Sequence, residues 1–160
     1  YKECHFFPDA KSFLDEAVMK GERKVEIVTQ SSAREAIAKL ARYLEHRSTP
    51  VYQADKAALE FVPGVPEKVT PEGWERPIYL QRGIYWKVLS DIIEHTRTNP
   101  TNMVVIGRSY ELDLALPLVK GAKGILVAHD VPGFEKSAVR AAGGYVVDNL
   151  QGALDAIGKF

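Results

Sequence analysis

Arg108 and Asp113 stand five residues apart, just after the apolar run Met103–Ile106 (MVVI) and Gly107. An acid beside such a run could help hold a hard, oxygen-seeking cation such as Mg²⁺, and Glu111 lies between them as a second carboxylate. Arg108 would repel a cation but could clamp a phosphate or carboxylate directly. The same spacing also fits an Asp113 that offsets a helix dipole and a solvated Arg108. A second group, Thr29, Gln30, Ser31 and Ser32, closes the apolar run KVEIVT and opens a helical pattern. Hydroxyls and free N–H groups at a helix start suit an anion, although serines there also serve as plain caps. Arg82 and Lys87, in and beside the helical stretch before Met103, could each reach an anionic group or simply face solvent.

These groups need a scaffold that delivers them to one edge. Apolar spacing predicts helices over Pro8–Lys20, Ala33–His46, Gly83–Thr96, Glu111–Val119, Phe134–Ala142 and Leu150–Ile157. Between them, Lys24–Thr29, Met103–Ile106, Gly124–Ala128 and Tyr145–Val147 read as strands, with shorter ones at Pro50–Gln53 and Ile78–Leu80. Strands apolar on both faces and joined through helices imply an α/β fold with a doubly wound parallel sheet. In such sheets ligands bind beyond the carboxyl ends of the strands, where both residue groups would sit. Residues 47–76, with four prolines and no clear period, read as an irregular loop or excursion within a single domain spanning 1–160.

Composition narrows the function. Lys+Arg and Asp+Glu both number 21, so no basic excess points to nucleic acid. No apolar run reaches the ~20 residues of a bilayer span, which speaks against a membrane partner. Cys4 is the single cysteine, fitting a reducing, cytoplasmic setting. The dinucleotide, P-loop and serine-hydrolase glycine motifs are missing, and the four histidines show no metal spacing. Trp74 and Trp86 read as packing residues.

With those motifs set out, FPDAKSFLDEAVMKGERKVEIVTQSS resembles haloacid dehalogenase-like (HAD) hydrolases around their second motif. MVVIGRSYELDLALPLVKGAKGILV resembles the fourth motif and the strand after it, and GGYVVDNLQGALDAI the end of that Rossmann-like core. The resemblance implies phosphate monoester hydrolysis through an aspartyl-phosphate, with Mg²⁺ as cofactor and a small phosphorylated or anionic substrate. It makes Thr29 the hydroxyl on the phosphoryl group, Arg82 or Lys87 the motif-three cation, and Asp113 a metal-supporting acid. Gln30, Ser31 and Gly107 would join the ligand-binding edge. Two departures stand out. Arg108 replaces the first motif-four acid, and no Asp-x-Asp nucleophile motif precedes Thr29; Asp9 follows Pro8 at a helix start and fits that role poorly. The resemblance also implies a missing central strand between those of Thr29 and Ile106. The expectation is that an upstream segment, a second chain or Lys2–Phe7 completes the sheet. As this chain alone, the domain is then incomplete or inactive. The alternative is a non-catalytic HAD-like module that binds a protein partner or an anionic ligand.

Overall fold

The computed structural model describes residues 7–19, 23–46 and 48–160, so that most of the expected Lys2–Phe7 strand lies outside the described residues. The protein is a mixed α/β, Rossmann-like chain with parallel sheets, and it divides into two compact units at Ala54/Asp55.

In the first unit, helix α1 (Ala10–Met19) precedes strand β1 (Ile27–Thr29), helix α2 (Ala33–Tyr43) and strand β2 (Val51–Gln53). β1 and β2 pair in parallel, Ile27 opposite Val51 and Thr29 opposite Gln53. The strand expected over Lys24–Thr29 is confined to its last three residues, because β2 offers only three partners. Ala10 and Leu14 of α1 are buried, as are Leu40 of α2 and Leu44 just beyond it, which matches their apolar spacing. Asp15 and His46 meet at 2.7 Å.

The second unit begins in the stretch expected to be irregular. There β3 (Lys68–Val69) pairs antiparallel with β4 (Ile78–Tyr79), and Glu60 bridges to Arg82. Gln81 ties this segment down: its side chain donates to the carbonyls of Val62 and Val65 and accepts from the Val62 N–H. Helix α3 (Gly83–His95) leads through a 3-10 turn (Pro100–Asn102) into β5 (Val104–Gly107). The helix expected from Glu111 to Val119 is two pieces, a π-helical turn at Tyr110–Leu114 and helix α4 (Ala115–Val119). Pro117 accounts for part of this, since it lacks the N–H that the Asp113 carbonyl would receive in an α-helix. β6 (Lys123–Val127), α5 (Gly133–Ala141), β7 (Tyr145–Val147) and α6 (Leu150–Ile157) complete the unit.

β5, β6 and β7 lie side by side, all parallel, with Ile106 opposite Ile125 and Leu126 opposite Val146. The middle strand β6 is buried from Gly124 to Val127, while β5 is half-buried along its length. Ile78, Leu80, Leu114, Leu126 and Val139 form the centre of the core, each no more than 1% exposed. A fully buried aliphatic side chain of this kind contributes about 1.5–3 kcal/mol. Among the described strands, β1 and β5 belong to separate sheets, and each pairs with one neighbour only. Among the described residues, no helix is long and apolar enough to cross a membrane.

Candidate active corner at the end of β5

β5 ends at Gly107, and the chain reverses through Arg108 and Ser109 into the π-helical turn. Ser109 begins that turn, its hydroxyl accepting from the Leu112 N–H at 3.2 Å. Asp113 folds back against the strand end. Its Oδ2 accepts from the backbone N–H groups of Arg108 (2.9 Å) and Ser109 (3.0 Å). The fit is close: a Cβ on Gly107 would lie 2.3 Å from Asp113 Cβ, so only glycine leaves room. Gly107 therefore has a packing role that the sequence left open.

The other oxygen of Asp113 meets a cation that the sequence did not single out. Lys56 Nζ donates to Oδ1 at 2.6 Å, with both side chains 15% exposed. The same ammonium stands 5.4 Å from the centre of the Tyr85 ring, a favourable cation–π position. The Tyr85 hydroxyl donates to the Asp113 carbonyl at 2.9 Å. Burial, and then the Asp113 charge, pushes the Tyr85 phenol far above its usual range, so it remains a donor.

Glu111 is held by two arginines. Arg76 Nη2 reaches Oε2 at 2.7 Å, and Arg82 Nη2 reaches Oε1 at 3.3 Å. Arg82 is 4% exposed and makes three further bonds to backbone carbonyls: Nε to Tyr79 (3.0 Å), Nη1 to Lys56 (2.9 Å) and Ala57 (3.2 Å). Burial lowers its pKa, against the attraction of Glu111. Nearby, Glu135 of α5 accepts from the Tyr110 N–H. Burial raises its pKa, with the negative charges of Glu111 and Asp113 adding to the rise and Arg76 opposing it.

The residues expected from the sequence thus fall into distinct positions. Asp113, Gly107 and the Arg108 backbone meet at one corner, with Arg82 joined to it through Glu111. The Arg108 side chain is exposed. Lys87 is exposed on α3 and pairs with Asp91 at 3.4 Å, while Lys56 is the cation on Asp113. Thr29, Gln30 and Ser31 belong to the first unit. There Thr29 Oγ1 accepts from the Ser31 N–H at 3.1 Å, Ser32 Oγ from Glu35 at 3.5 Å, and Gln53 Oε1 from Ala33 at 3.3 Å. Three donors at the start of α2 are thereby satisfied from within that unit. No spacing rule could have flagged Lys56, which meets its partner 57 residues away from inside an aperiodic stretch.

The resemblance implies Mg²⁺ supported by Asp113, with Arg108 speaking against it in this chain alone, and the donor set does not suit the ion. An octahedral ion needs several oxygens at about 2.0–2.1 Å. Asp113 has both oxygens engaged, Glu111 is occupied by two guanidinium groups, and the residue that follows Gly107 is the cation Arg108. Among the described residues, no three His, Cys, Asp or Glu side chains converge as metal ligands.

No protein family matches this chain, and no curated protein does. Among solved structures it is similar to a p-nitrophenyl phosphatase from Archaeoglobus fulgidus, at 12% identity and a TM-score of 0.35, over 92% of this chain and 73% of that one. A likeness that slight carries no argument about fold or chemistry.

Proposed function

We propose that this chain is a HAD-like α/β domain of the phosphatase type, receiving a small phosphorylated or anionic substrate at the carboxyl edge of its parallel strands. The observation behind this reading is the Asp113 corner. An acid placed only to offset a helix dipole would be solvated, whereas Asp113 is largely buried, clasped by the amides of Arg108 and Ser109 and neutralised by Lys56. That degree of organisation at a strand end supports a site. On this reading Lys56 takes the place that the sequence offered to Arg82 or Lys87. Hydrolysis through an aspartyl-phosphate requires a nucleophile from a segment or second chain that completes the sheet beside β5. The even charge balance favours a small anion over nucleic acid or a membrane surface, and the single cysteine favours a reducing cytoplasm.

One observation favours the second reading, a non-catalytic module for an anionic ligand. The Lys56 ammonium already supplies the positive charge that a catalytic metal would bring. Both readings predict stabilisation by millimolar phosphate or orthovanadate in thermal melts at constant ionic strength. A chain indifferent to both anions overturns them together. Turnover of a chromogenic phosphate monoester once a nucleophile-bearing segment or second chain is supplied selects the hydrolase; anion binding with no turnover under that condition selects the module.

A further inference from the structure

We infer that Lys56 is a built-in counter-ion that closes the acidic corner at the end of β5 to divalent cations. The inference rests on the HAD-like reading for the expectation of a metal, and on the geometry for its exclusion. Three acids gather here, Asp113, Glu111 and Glu135, and three cations face them, Lys56, Arg76 and Arg82. Formal charge is therefore balanced before any ion arrives. Lys56 is also held from both ends. Its carbonyl accepts from the buried Arg82 guanidinium at 2.9 Å, and its ammonium lies between Asp113 Oδ1 and the Tyr85 ring. A cation seeking Oδ1 must either displace that ammonium or sit beside a like charge in a poorly solvated place. Oδ2 offers no alternative, because two backbone N–H groups point at it. Glu111 could turn toward a metal only by leaving two arginines, one of them almost fully buried.

The test is a titration with Mn²⁺, as a paramagnetic substitute for Mg²⁺, followed by calorimetry and by thermal melting with and without a chelator. Wild type and Lys56→Arg should show no saturable Mn²⁺ binding and no chelator-sensitive melting. Lys56→Met removes the charge while keeping most of the stem, and should gain Mn²⁺ affinity on the order of tenfold or more, with a melting temperature that rises with the ion. Saturable Mn²⁺ binding by the wild type overturns the inference, and so does a folded Lys56→Met that ignores the ion. Should Lys56→Met fail to fold, the wild-type and Lys56→Arg titrations decide the matter. Phosphate binding is read separately, so a wild type that binds Mn²⁺ but also phosphate sinks this inference and leaves the proposed function standing.

Discussion

The hydroxyl of Tyr85 donates to the backbone carbonyl of Asp113 at 2.9 Å, from α3 into the π-helical turn. That carbonyl lies four residues before Pro117, the position from which an α-helix would send it an N–H. A side chain therefore serves a backbone group that the local sequence leaves short of a donor. The same residue presents its ring to Lys56, so Tyr85 supports the corner by two different interactions.

Tyr85→Phe separates them. The ring and its cation–π contact remain, and the carbonyl loses its donor. Leaving a buried acceptor without its partner costs about 1–3 kcal/mol. Urea denaturation should show a loss in that range, with Lys56 still paired to Asp113. An unchanged midpoint would mean that water or another backbone group replaces the phenol.

Gly107→Ala tests the contact between strand end and acid. The φ angle at Gly107 is not in the left-handed region, so the glycine is required for space alone. A methyl 2.3 Å from Asp113 Cβ must push the side chain away from the Arg108 and Ser109 amides. Overpacking of this kind costs about 1–3 kcal/mol, or a melting temperature lower by roughly 2–12 °C. Wild-type stability in Gly107→Ala would show that the turn yields easily.

Periodicity was enough to find the strands and helices of the C-terminal half: β7 is Tyr145–Val147 as expected, and α3 differs by one residue at its end. Those elements announce themselves because each buries one stripe or two faces in a repeating order. The contacts of the candidate corner were only half legible for a related reason. Asp113 and Gly107 could be picked out because a strand end is a local feature. The role of Arg82 could not, since its three carbonyl partners lie in β4 and in the aperiodic segment at residues 56–57. A guanidinium engaged by distant carbonyls looks, in sequence, like any cation at a helix start. The π-helical turn was hidden too, although Pro117 was its available signal.

Glu135 gives the fold a pH dependence whose sign can be worked out. Burial first, then Glu111 and Asp113, raises its folded pKa above the ordinary 4.5, so at pH values between the two the folded state keeps a proton that the unfolded chain has released. Its stabilising contribution is complete below that ordinary value and is lost as pH rises through the folded pKa. Glu135→Gln keeps an acceptor for the Tyr110 N–H and removes the titration. The variant should be more stable than wild type at neutral pH and should lack the decline that sets in as pH rises above 4.5. Asp15 acts in a different window. Lys11 and His46 lower its pKa, so its contribution is present above 3.8 and fades as pH falls further. Parallel stability–pH curves for wild type and Glu135→Gln would remove Glu135 from this account.

Arg82→Lys distinguishes a ligand-binding cation from a buried clamp. If Arg82 met a substrate phosphate, lysine would preserve the charge, weaken anion binding modestly and leave the fold nearly intact. The geometry argues for the clamp. One guanidinium reaches the carbonyls of Tyr79, Lys56 and Ala57 and the carboxylate of Glu111, directions that a single ammonium cannot span. Lysine would leave at least two acceptors short and loosen the segment that positions Lys56. The expected loss is about 3 kcal/mol or more, since a nearly buried charge network is being opened. It should appear in urea denaturation without any ligand. Hydrogen exchange should also show faster exchange at the Ala57 and Ala58 amides, which are held by Asp55 in the same loop. Wild-type stability combined with weakened phosphate binding would instead return Arg82 to the role that the resemblance implied.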